Sequence, residues 1–273
     1  MAHSIDPATG AVRGFVPARN DEERYLMRHI EDLADAAFSR GIARYSAFLS
    51  DREQDLARAA LGRAGVRDGW RLDGGWPEAE RRVLCLEPEY SYGECPVRCV
   101  QLQCRALPGA GLPAHKDYLG SLMGLALKRE ALGDILLPVD APGTAYVFAL
   151  EPAAKLICRE LCQAGRTEVS TRLLEPEEIP AFPAPERQLL TATVSSLRLD
   201  SVLAAGFSLS RGKAAEAVTS GKVQVNWTDC QKPDRPVSQG DTLTLRGLGK
   251  CVLEEVGNQT KKGRVFITLK RYL

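Results

Sequence analysis

Three features of the 273-residue sequence predict an α+β fold in three parts. Residues 20–64 carry apolar side chains at three- and four-residue steps, the period of helices buried on one face. Residues 95–174 place short β-prone runs and helical runs in the order β-α-β-β-α-β. Beyond a stretch dense in proline and glutamate, two short alanine- and leucine-rich helices lead into a series of strands. The organisation that follows is a flexible start (1–19), an N-terminal helical region with the start of an α/β domain (20–94), a central α/β domain (95–174), an extended linker (175–188) and a small C-terminal α+β domain (189–273).

In the first region, "NDEERYLMRHIEDLADAAFSRG" sets Tyr25, Leu26, His29, Ile30, Leu33 and Ala37 on one helical stripe, beginning after Asn20 or Asp21 and stopping at Gly41. His29 within that stripe reads as a core or core-edge residue. A second helix starts at Ser50, with Glu53 three positions on in the capping-box arrangement. The next stretch, "GVRDGWRLDGGWPEAER", reads as turns.

From there "RRVLCLEPE", "CPVRCVQLQCRA", "DILLPV", "TAYVFALE" and "TEVSTRLL" read as strands, and "KDYLGSLMGLAL" and "PAAKLICRELCQAG" as helices, the latter with Pro152 in its first turn. This is the order of the ferredoxin-like plait, the fold of the common RNA-recognition module. Tyr146 and Phe148 lie two apart and share a face. Either they stack on bases, as aromatics do in that module, or they are core; the basic residue and glycine that complete the module's signature are missing. His115, Lys116 and Asp117 open a helix after Pro113, and consecutive helical residues diverge too far to act as a catalytic dyad. His115 and Lys116, with Tyr146 and Phe148, mark a second candidate surface for RNA or a partner.

Composition narrows the function classes. With 44% apolar and 26% charged residues and no low-complexity tract, the chain is globular. No run reaches the ~18 apolar residues of a membrane span, and "MAHSIDPATG" lacks the basic flank and apolar stretch of an export signal. A cytoplasmic location without a membrane partner follows as the expectation. The eight cysteines then read as reduced thiols. Cys95, Cys99 and Cys104 cluster, and Cys158 and Cys162 are one turn apart, but there is no C-x-x-C pair and the three histidines lie elsewhere. Neither a metal site nor a cofactor is expected, and the cysteines read as small buried hydrophobes.

Charge is unevenly divided. Residues 186–273 hold 14 Lys/Arg against 8 Asp/Glu, a net of +6, whereas residues 1–185 carry a net of −5. The C-terminal part is therefore suited to a polyanion. Within it, "SLSRGKAAEAVTSGKVQVN" has Ser210 as a helix cap, Gly221 closing the helix and an alternating strand after it. Gly206 and Gly221 read as positive-φ residues ending the two helices. Arg211 and Lys213 occupy a first helical turn, where cations cost a few tenths of a kcal/mol each (about 0.3) unless an anion is bound. Free N–H groups, the Ser210 hydroxyl, Arg211 and Lys213 together make a phosphate site. Arg198, Lys222 and Lys250 extend it along a nucleic-acid backbone.

Arg198 to about Lys250 resembles the small RNA-binding domain named after the fourth protein of the small ribosomal subunit, in the blocks "RLDSVL", "SRGKAAEAVTSGKVQVN" and "VSQGDTLTLRG". The resemblance implies Arg198, Ser210, Arg211, Lys213 and Lys222 as RNA contacts. Gly212 and Ala215 depart from it, being smaller than the residues common there. "PAHKDYLGSLMGLALKREALGDILL", "DREQDLARAA" and "LDGGWPEAERRVLCL" are similar to the bacterial YlmH family, a resemblance that spans nearly the whole chain after residue 20. It implies a non-enzymatic protein that binds rRNA and tRNA on the ribosome, at the large subunit, in ribosome-associated quality control or translation, with a link to cell division and no small-molecule substrate.

Two other classes compete. An RNA-modifying enzyme is suggested by "LRLD" at 197–200, which imitates a pseudouridine synthase motif. It opens the basic module instead of a catalytic domain, so Asp200 reads as a structural acid, and no glycine-rich loop of a methyltransferase is present. The third class is a protein-interaction scaffold whose basic face is merely solvated.

Overall fold

The computed structural model describes residues 18, 20–105, 111–184, 187–226, 228–260 and 263–272. The expected flexible start at 1–19 lies outside them except for residue 18. The chain divides into two compact units, Met1–Phe182 and Pro183–Leu273.

In the N-terminal unit, α1 (Asp21–Arg40) starts at Asn20, whose side chain accepts the Glu23 N–H, and ends at Gly41 with φ 65°. Its buried residues are Met27, Ile30, Ala34 and Ala37. The stripe is thus rotated from the one read in the sequence: His29 is exposed, stacked on the exposed Tyr25 ring at 6.3 Å. Residues 20–64 are also not helical throughout. Between Gly41 and the Ser50 cap there is room for only about two helical turns, and the β-prone "RYSAFL" instead forms β1 (Arg44–Leu49). The Glu53 carboxylate accepts from the Ser50 N–H and hydroxyl, both at 2.7 Å, and so starts α2 (Asp51–Arg63). Part of the stretch read as turns is β2 (Trp70–Asp73), and β3 (Arg82–Leu86) follows. The sheet order is β1-β3-β2, all antiparallel.

The plait follows as β4 (Val97–Cys104), α3 (His115–Gly124), β5 (Leu132–Leu136), β6 (Thr144–Leu150), α4 (Glu151–Glu160), the two-residue β7 (Gln163–Ala164) and β8 (Thr167–Leu174). Its order, β5-β6-β4-β8-β7 with every pairing antiparallel, is that of the ferredoxin-like fold with one added edge strand. Tyr118, Leu122, Ala154 and Ile157 from α3 and α4 cover one face of this sheet.

The other face is covered too, which corrects the reading of Tyr146 and Phe148 as a base-stacking surface. They are 8% and 0% exposed, packed with Phe48, Val83 and Cys85 of the first sheet. The Phe182 ring meets them edge-on at 5.0 and 6.1 Å. No base can reach them without separating the two layers. The lock between the layers uses motif residues: the Asp134 carboxylate accepts from Trp76 Nε1 (3.0 Å), Glu80 N (2.8 Å) and Arg81 N (3.2 Å). The Arg81 guanidinium donates to the carbonyls of Leu132 and Phe48, each at 3.0 Å. Gly133 is small because a Cβ there would lie 2.6 Å from the Phe48 ring.

The C-terminal unit contains β9 (Arg187–Val194), α5 (Leu199–Gly206), α6 (Arg211–Thr219), β10 (Val223–Val225), β11 (Thr228–Asp229), β12 (Thr242–Leu245), β13 (Gly249–Gln259) and β14 (Val265–Tyr272). The strands form one antiparallel sheet in the order β11-β10-β12-β13-β14-β9. Leu199, Val202 and Leu203 of α5 and Ala214 and Val218 of α6 pack on Val223, Leu243, Cys251 and Leu269. Gly221 does have positive φ, 71°, but Gly206 does not. Gly206 is needed for space, since a Cβ would sit 2.8 Å from Cys251 Sγ, and the left-handed turn after α5 falls on Ser208 at φ 54°. Among the described residues no helix is long and apolar enough to cross a membrane.

Candidate nucleic-acid interface

The start of α5 is fixed by the segment that precedes β12. Leu199 N donates to Arg235 O at 2.8 Å and Asp200 N to Pro233 O at 2.9 Å. These bonds satisfy the first N–H groups of α5 and set Asp200 inward, with its side chain 5% exposed. A buried carboxylate needs partners. Asp200 takes them from both helices: Arg198 donates through Nε to Oδ1 and through Nη2 to Oδ2, each at 3.2 Å, and Arg211 Nε donates to Oδ2 at 3.1 Å. Burial works to raise the Asp200 pKa, but the hydrogen bonds from Arg198 and Arg211 outweigh it and hold the carboxyl below its usual value.

The two arginines are not consumed by this contact. Their side chains are 41% and 53% exposed, so each guanidinium rests one edge on Asp200 and turns the other to solvent. The terminal nitrogens of Arg211 donate to nothing among the described residues. A planar cation anchored in this way has lost its rotamer freedom before any ligand arrives.

At the start of α6 the Ser210 hydroxyl oxygen accepts the Lys213 N–H at 3.3 Å. This N-cap leaves the Ser210 proton free to donate outward, and the N–H groups of Arg211 and Gly212 without partners among the described residues. Lys213 is exposed. A Cβ on Gly212 would meet nothing within 4 Å, so neither packing nor φ calls for glycine at this position. Glycine in a helix costs roughly 1 kcal/mol relative to alanine; here it leaves the backbone open to a ligand.

Arg198, Ser210, Arg211 and Lys213 are thus brought together. Lys222 is exposed beyond the far end of α6, about 14 Å along the helix axis from its start. Its carbonyl accepts the Arg246 N–H at 2.9 Å, which sets Arg246 beside it. Lys250 does not join them. It pairs with Thr244 and alternates with the buried Cys251, so it faces away from the helices, 4.6 Å over the Tyr272 ring. His115 and Lys116 are exposed at the start of α3 in the N-terminal unit, separated from the buried Tyr146 and Phe148. Asp200, read in the sequence as a structural acid, sits at the start of α5 and anchors Arg198 and Arg211, a pairing that the sequence reading did not include. That reading also missed Pro233 and Arg235, whose carbonyls reach the start of α5 through a returning segment that no periodicity announces.

Residues 197–243 match the S4 domain family. Over 225 residues the chain is 34% identical to the ribosome-associated protein quality control protein P2 of Bacillus subtilis (strain 168), an alignment covering 82% of this chain and 85% of that protein. Among solved structures it is similar to the cell division protein ylmH from Streptococcus pneumoniae, with a TM-score of 0.47 and 17% identity over 61% of this chain and 100% of that one.

Proposed function

The chain is a member of the YlmH family, to which the Bacillus quality control protein P2 belongs, and from that premise we propose that it binds structured rRNA and tRNA on the ribosome through the helix pair of its S4 domain. The observation that carries this reading is the single buried carboxylate shared by two half-exposed arginines, Arg198 and Arg211. The outer edge of Arg211 can grip two phosphate oxygens, Lys213 adds a point charge, and the N–H groups of Arg211 and Gly212 complete the cradle. Lys222 and Arg246 suit a phosphate further along the same backbone.

Such a clamp fixes position and carries no base readout. Selectivity then rests on RNA shape, and the proposed partners are the large ribosomal subunit and its tRNA. The role is that of a binder in ribosome-associated quality control, cytoplasmic and without chemistry of its own. Asp200, the acid of the "LRLD" motif, is occupied as an anchor for Arg198 and Arg211.

The test is fluorescence anisotropy with labelled tRNA and a large-subunit rRNA fragment across a salt series. Replacing Arg211 and Lys213 together by alanine should weaken both RNAs about tenfold or more and lower the slope of log affinity against log salt by about 1.5–2. Lys250→Ala, on the other sheet face, should change neither. Equal binding by the double variant and the parent would overturn the assignment.

A further inference from the structure

A different cluster lies in the N-terminal unit. Asp73 at the end of β2, Cys85 on β3 and Cys95 two residues before β4 bring a carboxylate oxygen and two sulfurs within 4.8 Å of one another. Sheet register builds this: Cys85 is flanked by Arg71 on β2 and Tyr45 on β1. Cys85 is buried, and Asp73 and Cys95 are half-buried. The carboxylate is held in place by the Gly75 N–H at 2.8 Å on Oδ1 and by an ion pair from Arg71 to Oδ2. Arg71 also forks onto Glu87, at 3.0 and 3.1 Å. Arg71 and Asp73 line an open cleft of about 390 Å³, so the cluster meets it at Asp73.

We propose that Asp73, Cys85 and Cys95 bind a thiophilic divalent cation, with zinc the best match, and that a water from the cleft takes the fourth position. In a tetrahedral site with metal–sulfur bonds of about 2.3 Å, neighbouring sulfurs are about 3.8 Å apart. The two sulfurs therefore need to close by no more than about 1 Å. Two thiolates and a carboxylate exceed a divalent ion by one negative charge, which Arg71, shared between Asp73 and Glu87, offsets in part.

Such outer contacts commonly orient a ligating carboxylate. Tyr45 adds an independent sign: its hydroxyl is buried with no hydrogen-bond partner, on the strand beside Cys85. A metal thiolate offers that hydroxyl an acceptor. The ion would pin the segment between β3 and β4, which carries Tyr90 and Tyr92 at 87% and 98% exposure.

The test uses the full chain, isolated with reductant and without chelator. Elemental analysis should find about one zinc per chain. After exchange, Co²⁺ should give tetrahedral d–d bands and a near-ultraviolet thiolate-to-cobalt charge-transfer band. Cys95→Ser and Cys85→Ser should each lose the metal, and Asp73→Asn should weaken Co²⁺ binding about tenfold or more. Cys162→Ser, at an exposed cysteine, should bind as the parent does. Should Cys85→Ser fail to fold, Cys95→Ser and Asp73→Asn still decide. A parent without the charge-transfer band, a band that survives in the Cys95 variant, or a Cys85–Cys95 disulfide found by non-reducing peptide mapping would each overturn the proposal.

Discussion

The central plait and the S4 domain both offered RNA-facing residues, and they differ in what covers them. In the plait the aromatics Tyr146 and Phe148 sit where an RNA-recognition module stacks bases, yet a second sheet and Phe182 seal that face. In the S4 domain the buried group is a carboxylate, Asp200, and what it leaves half-exposed are cations. A residue type suited to RNA has no bearing on binding once its face is used for packing. Arg211, a cation at odds with its place in a first helical turn, is oriented together with Arg198 by one buried carboxylate, and that is the arrangement proposed to meet RNA.

The comparison can be broken from either side. The largest effect should come from Phe148→Ala, which empties a fully buried site and should destabilise the N-terminal unit by about 3–5 kcal/mol in urea denaturation. Any folded fraction should bind tRNA as the parent does, and a selective loss of RNA affinity without loss of stability would reopen the plait as an RNA surface.

Asp200→Asn should cost less, about 1–2 kcal/mol at neutral pH, because the two arginines stay partly solvated. The folded Asp200 pKa is depressed, so its contribution is present above the unfolded carboxyl value and is lost as pH falls through the folded one. The gap between parent and variant in denaturant midpoints should therefore close below about pH 4. A gap that stays constant through acid would show that Asp200 contributes no charge-dependent stability. RNA affinity of the variant at neutral pH should fall as well, since neither guanidinium is then held.

The smallest effect sharpens the contrast. Gly212→Ala should raise stability by about 0.5–1 kcal/mol, since nothing crowds a Cβ there, while weakening RNA binding. Opposite signs in the two measurements would mark a position kept for a ligand, and a gain in both would mark an ordinary solvated helix start.

Local chemistry made much of this legible. The Ser210 cap, the glycine at 221 and the alternation of Val223 and Val225 specify α6 and the strand after it within a few residues of chain. The strand and helix order of the plait is likewise present, with the two-residue β7 added before the last strand. What stayed hidden depends on contacts between distant segments. The strand β1 lies inside a helical pattern in sequence because it is short and set between two helices, with β-prone residues but only Gly41 and Ser50 to mark its limits. Lys250 looked like a sixth phosphate contact until the register with Thr244 set it on the other face. Cys95 seemed grouped with Cys99 and Cys104, whereas the sheet brings it to Cys85 and Asp73.

The strand β14, which ends at Tyr272, pairs with β9 along its whole length, from Val265 opposite Val194 to Tyr272 opposite Arg187. The sheet therefore joins the first and last strands of its unit, across a stretch of chain that holds both helices and four other strands. No run of neighbouring hairpins completes it: the β9–β14 pairing is a non-local contact that must pay the closure of all the chain between, so the unit's folding rate should be set by that pairing more than by its helices.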